Sequence, residues 1–248
     1  MASVLGLTGQ YAWLVWSLLL LAVWFGVHSS LSGRRVSRKE MLLVSVWTAL
    51  LGLTEPLFVP EYWDPPSLFD LARRTGFDLE SIIFAWSAGG LAAVGFERLF
   101  PARHRALPAA AHHAPRHRFH ALALLSAPLI FAIFYASSEL NPIHSTIIAL
   151  ACGGIAVGLC RPDLWKKLIA GAFLFLGLYF LYFLALNAFF PGYVAQVWNL
   201  GALSGVLVAG IPLEELGFAF AFGFLWAGLY EHINWYALET DRRGAAAP

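Results

Sequence analysis

What most limits how this chain can fold is a succession of apolar stretches, each about as long as a bilayer is thick, separated by short polar or basic connections. A helix crossing the hydrocarbon core needs about 20 mostly apolar residues. The sequence offers seven such stretches, roughly 11–28, 41–59, 79–100, 121–138, 145–160, 168–190 and a last one ending near 232. With 59% hydrophobic and 12% charged residues, the chain carries about half the charge of a soluble protein. An all-α integral membrane protein with seven transmembrane helices is therefore predicted, with the lipid bilayer as its surroundings. A net charge of +1 leaves no electrostatic footprint for nucleic acid. Cys152 and Cys160 lie in one apolar stretch, which excludes a disulfide framework. No Lys or Arg precedes the first stretch, so it reads as a spanning helix rather than a signal peptide.

The connections set an orientation. Basic residues follow stretch one (Arg34, Arg35, Arg38, Lys39), stretch three (Arg103, Arg105, Arg116, Arg118), stretch five (Arg161, Lys166, Lys167) and stretch seven (Arg242, Arg243). The alternate connections are poor in Lys and Arg apart from Arg73 and Arg74. Positive charge collects on the cytoplasmic side, which predicts the N-terminus outside and the C-terminus cytoplasmic. The last stretch, from Gly201 to His232, exceeds one span. Gly210 and Pro212 are expected to break it, so that a short amphipathic or re-entrant piece precedes a full helix from near Leu213; a helix continuous from Gly201 would instead place the carboxylates closer to mid-membrane.

The helices also repeat. Shifting residue 79 onto residue 213 aligns Leu79-Glu80 with Leu213-Glu214, Phe84-Ala85 with Phe218-Ala219, and Gly89, Leu91, Ala93 and Glu97 with Gly223, Leu225, Ala227 and Glu231. Those are eight identities over nineteen ungapped positions. Upstream, Trp63-Asp64 answers Trp198-Asn199, and Arg35 and Lys39 answer Arg161 and Lys166. The expected organisation is two parallel three-helix repeats linked by helix four: a first repeat over 1–100, a basic loop and linking helix over 101–143, a second repeat over 144–235, and a cytoplasmic tail over 236–248. Parallel repeats imply a site between the halves.

Chemistry is expected at the outer ends of helices three and seven. An ionisable side chain in an apolar span is a functional candidate by default, and Glu80, Glu214 and Glu215 are such residues. Burial and a neighbouring carboxylate both favour a protonated carboxyl, hence a proton donor. Phe218, Phe222 and Trp226 fall below Glu214 at spacings of four, and Phe84 matches Phe218 in the first repeat. Aromatic faces stabilise a cation without acting as bases. Acid, partner carboxylate and aromatic lining together suit protonation of an apolar alkene and passage through a carbocation. Trp63 and Trp198 read either as interfacial belt residues or as a lid, with Asp64 and Asn199 placed to hydrogen-bond the glutamates. Alternatively, the three glutamates cap helices at the interface. Glu97 and Glu231 are expected to pair with Arg98 or the basic loops. His112, His113, His117 and His120 surround Pro115 in a connection that reads as flexible, so no metal is assigned to them. His28, His144 and His232 stand alone at helix ends. No Gly-rich dinucleotide fingerprint occurs, and no cofactor is expected.

Pro212-Leu213-Glu214-Glu215, opening an aromatic helix, resembles the signature of the small membrane-bound lycopene cyclases of the heterodimeric or fused type. Trp63-Asp64 and the duplicated three-helix unit are similar to that family too, over about 10–235. The resemblance implies a carotenoid or isoprenoid end-group cyclase, an intramolecular lyase or isomerase in the bacterial inner membrane. It would protonate the terminal double bond of an apolar carotene, let the cation close a ring, and release a ring proton without net redox chemistry. Glu214 with Glu215 would be the acid and base pair, and Glu80 their counterpart. The first half departs from the signature with Phe77-Asp78-Leu79-Glu80-Ser81, lacking the proline and the second glutamate. Two other readings stand beside it: a non-catalytic binder or transporter of isoprenoid lipids, and an intramembrane metalloprotease using paired glutamates and histidines.

Overall fold

The computed structural model describes residues 9–100 and 102–240. Of the tail expected from 236 onward, residues 241–248, with Arg242 and Arg243, lie outside the described residues. The described chain is mostly helical and contains seven long helices: α1 (Ala12–Ser30), α2 (Arg35–Ala49), α3 (Leu79–Leu99), α4 (His120–Ser137), α5 (Pro142–Cys160), α6 (Trp165–Phe189) and α7 (Leu213–Asn234). With their short extensions, all seven are long and apolar enough to cross a membrane. This is the architecture of a membrane protein.

Local chemistry sets the helix ends. Asp78 caps α3 by accepting from the Ser81 N–H. Asn141 caps α5 and is followed by Pro142 at the first helical position, where a missing N–H costs nothing. Helix α2 leaves α-geometry at Ala49 and continues as a tighter 3-10 turn over Leu50–Leu57. Pro56 lies in that turn and cannot donate to an α-helical ladder.

The long last stretch is broken at Gly210 and Pro212. What precedes α7 is a hairpin, β2 (Leu207–Val208) paired with β3 (Ile211–Pro212), not an amphipathic helix. Ala209 and Gly210 at its tip both have positive φ, 53° and 77°, as a two-residue turn joining twisted strands requires.

The basic connection after α3, expected as a flexible loop, is partly ordered. Its β1 (Ala102–Ala106) pairs antiparallel with β4 (Tyr236–Thr240) just beyond α7. The strand partner lies far along the chain, so no local pattern announces it.

In the bundle α2 packs on α3, α6 on α7, α1 on α3 and α5 on α7, with α7 also meeting α3. Close approach depends on glycine. A Cβ at Gly89 would fall 2.0 Å from Thr48 Oγ1, and one at Gly223 would fall 2.7 Å from the Gly171 carbonyl. Helix α4 packs chiefly on α5, and only 6% of its span is buried.

Candidate active site

Helices α3 and α7 bring Glu80, Glu214 and Glu215 into the interior, all three buried. Their roles separate at once. Glu80 accepts the Leu68 N–H at 2.7 Å, and Glu214 accepts the Ser204 N–H at 2.7 Å. Each carboxyl therefore ties down the loop that leads into its own helix. His144, read as solitary, sits 3.5 Å from Glu214.

Glu215, one residue further along the turn, faces a different neighbourhood. Its Oε1 accepts from Trp198 Nε1–H at 2.6 Å and from the Tyr62 hydroxyl. Its Oε2 accepts from the Tyr179 hydroxyl at 2.5 Å. Burial above all pushes the Tyr62 phenol well above its ordinary range, so it stays a donor. Among the described residues, no cation lies within ion-pair distance of Glu215.

Glu215 lines a cavity of about 410 Å³, within the usual range of about 300–1,000 Å³ for ligand sites. The aromatic residues singled out in the sequence, Trp63, Phe84, Trp198, Phe218, Phe222 and Trp226, all line it. Phe222 stacks on Trp226 with ring centroids 4.4 Å apart, and Trp226 Nε1–H donates to Thr48 Oγ1 at 2.7 Å. Glu80 and Glu214 are not on the cavity wall. Asp64 and Asn199 are exposed and join the loops mainly through the main chain, and Asn199 Nδ2 also donates to the Glu61 carbonyl at 3.2 Å. The Asp64 N–H donates to the Val197 carbonyl and the Asn199 N–H to the Tyr62 carbonyl, each at 2.9 Å. These bonds clamp two loops, with the Trp63 and Trp198 rings 5.3 Å apart between them.

Residues 141–233 match the family model for lycopene cyclase. That segment, under half of the chain, is similar to the lycopene cyclase family. It covers α5, α6 and all but the end of α7, so Glu214, Glu215, Trp198 and Tyr179 all fall within the matched segment. No curated protein and no solved structure matches the chain.

Three residues at the site escaped the sequence reading. Glu55 lines the cavity, and its buried Oε1 has no hydrogen-bond partner. The rule that an ionisable group in an apolar stretch is functional would have found it. Tyr62 adjoins Trp63 and carried a weak signal. Tyr179 carried none, being one of eight tyrosines.

At the opposite end of the bundle, Glu97 and Glu231 have partners other than Arg98. Lys167 Nζ lies 2.5 Å from Glu97, 2.7 Å from Glu231 and 3.0 Å from Glu40. His104 Nε2, from β1, lies 2.7 Å from Glu231. Arg34 and Arg161 bind main-chain carbonyls at this end. Arg34 Nη1 donates to the Glu97 carbonyl at 2.5 Å, and Arg161 Nη1 to the Glu231 carbonyl at 3.3 Å. Nor does His232 stand alone: its ring centroid is 4.1 Å from that of His120.

Proposed function

We propose that this protein is a lycopene cyclase-type enzyme that closes a ring at the end group of a linear carotenoid or related isoprenoid, with Glu215 as the proton donor. The observation that carries the reading is a buried carboxyl, aimed into an aromatic cavity and held by three neutral donors, within a segment matching the lycopene cyclase family. The cavity volume suits one end group rather than a whole polyene.

Chemically, protonated Glu215 delivers its proton to the terminal double bond, forming a C–H bond and a tertiary cation. The π faces of Phe218, Phe222 and Trp226 stabilise that charge without capturing it. Attack by the internal double bond forms the ring C–C bond and moves the charge onto the ring. Loss of a ring proton restores an alkene. Tyr62, Tyr179 and Trp198 hold the carboxylate that Glu215 becomes, a preorganised stabilisation of developing charge. Glu55, the other carboxyl on the wall, receives the ring proton, and its return to Glu215 completes the cycle. No electrons are gained or lost overall.

The same proposal includes a duplicated architecture. Glu80 and Glu214 each hold the loop before their helix, Arg34 and Arg161 each bind the carbonyl of a matched glutamate, and Gly89 and Gly223 each let a neighbouring helix close in. These paired contacts support two parallel three-helix units joined by α4. The basic residues Arg34, Arg161 and Lys167 gather at one end, which supports a cytoplasmic placement of that end and an N-terminus outside.

Expression in a lycopene-accumulating bacterium tests the function. Cyclised carotenoids are expected with the wild-type chain and not with Glu215→Gln. An unchanged lycopene pool, with the wild-type protein present in the membrane, would sink the cyclase reading and favour a lipid binder.

A further inference from the structure

Away from the cavity, α4, α5 and α7 meet at the end where β4 begins. There His120, Cys160 and His232 each offer a ligand atom, and these atoms lie within 4.8 Å of one another. Cys160 and His232 are buried, His232 completely. Cys160 Sγ lies 3.7 Å from His120 Nδ1. A tetrahedral zinc, with nitrogen at about 2.0–2.1 Å and sulfur at about 2.3 Å, holds such a pair about 3.6 Å apart.

His232 supplies the independent observation. Neither of its ring nitrogens has a hydrogen-bond partner, although a neutral imidazole carries one N–H and one lone pair. Buried polar groups are nearly always satisfied, and an orphan costs about 1–3 kcal/mol. An ion placed among the three side chains would satisfy the lone pair.

The surroundings are arranged as an outer shell. Arg116 Nε–H donates to His117 Nε2 at 3.2 Å. That leaves the His117 proton on Nδ1, which points at Cys160 Sγ from 3.4 Å and is placed to hold a thiolate. Trp235 stacks on His120 with centroids 4.2 Å apart, fixing the ring. The guanidinium of Arg161, next to Cys160, is spent on Asp163 at 2.6 Å and on the Tyr236 and Glu231 carbonyls. Outer-shell partners of this kind orient ligands and tune the metal.

We infer that His120, Cys160 and His232 form a zinc-class divalent metal site with a fourth position open to water. One thiolate and two imidazoles suit zinc rather than calcium or magnesium, which take oxygen ligands. Binding releases the Cys160 proton to solvent. The ion fastens α4, otherwise held chiefly by α5, to both α5 and α7. Since Ala127, Pro128 and Phe131 of α4 line the cavity, the site braces that wall. The inference does not rest on the cyclase reading.

The test is metal analysis of the full chain, purified in detergent with a histidine-free tag, followed by chelation and titration with cobalt(II). One zinc per chain is expected, and cobalt should give thiolate charge-transfer absorption with tetrahedral d–d bands. Cys160→Ser and His232→Gln should each weaken binding by more than about tenfold, whereas exposed His113→Ala should behave as wild type. Monodisperse elution identifies variants that remain folded. Wild-type protein that is folded but binds neither zinc nor cobalt would overturn the inference, as would undiminished metal binding by Cys160→Ser.

Discussion

At the scale of single residues, Glu214 and Glu215 are adjacent in sequence and opposite in environment. Successive residues on a helix are turned by about 100°, so only one of them can face the cavity. Replacing Glu215 by Gln removes the proton, and cyclisation should fall by about 10²–10⁴-fold, the usual share of general acid catalysis. Glu214→Gln keeps an acceptor for the Ser204 N–H, so activity should stay close to wild type. Product ratios measured by chromatography decide between them, and equal losses in the two variants would refute the separation of roles. Tyr179→Phe removes one donor from the carboxylate that forms, and a loss on the order of 10²-fold is expected. The Pro212–Glu215 signature drew attention to two adjacent carboxyls in the sequence but did not say which of them faces the cavity. That depends on the phase of α7 against α6 and the Tyr62 loop, which only packing fixes. Tyr179 was hidden for the same reason, since nothing local distinguishes it from the other tyrosines.

At the scale of elements, the apolar stretches and their polar connections revealed the seven helices, and Gly210 and Pro212 the start of α7. Three departures have physical causes. Pro56 turns the end of α2 into a 3-10 segment, the residues before α7 form a hairpin, and β1 finds its partner more than a hundred residues away in β4. Helix contacts are less legible still, because a glycine that meets another backbone reads like one that meets nothing. Gly171 and Gly177 lie on the same helix, yet a Cβ at Gly171 would come within 2.2 Å of the Ala227 Cβ, and one at Gly177 would meet nothing within 4 Å. Gly171→Leu should therefore destabilise the protein by about 1–3 kcal/mol through overpacking. Gly177→Ala should be neutral or stabilising by up to about 1 kcal/mol, since alanine is the better helix former. Thermal midpoints in detergent compare the two. A Gly171→Leu protein as stable as wild type would contradict the close approach of α6 to α7.

At the scale of the whole molecule, one buried ionic group joins what the sequence separates. Glu40 of α2, Glu97 of α3, Lys167 of α6 and Glu231 of α7 meet at one end of the bundle, closed by His104 from β1. Glu97 and Glu231 stood out in the sequence as aligned glutamates, but the single lysine between them did not. Lys166 and Lys167 are indistinguishable in sequence, and only Lys167 is buried. Removing it leaves the three buried carboxyls with His104 as their one cationic partner in the group, so Lys167→Met should cost about 3–5 kcal/mol. Exchanging charges in the double variant Glu40→Lys, Lys167→Glu should recover part of that loss.

The same group gives the fold a pH dependence. Burial alone would lower the pKa of His104, but hydrogen bonds to Glu231 and Glu40 and their charges overcome it and raise the value from 6.5 to about 9. The folded state thus binds a proton that the unfolded chain releases more readily. By linkage, this contribution is fully present below about pH 6.5 and disappears as pH rises through about 9. The thermal midpoint should therefore decline between those values in wild-type protein. In His104→Gln, which keeps a donor but cannot titrate, the decline should be markedly shallower. Parallel slopes in the two proteins would mean that the glutamates or Lys167, rather than His104, govern the alkaline limb.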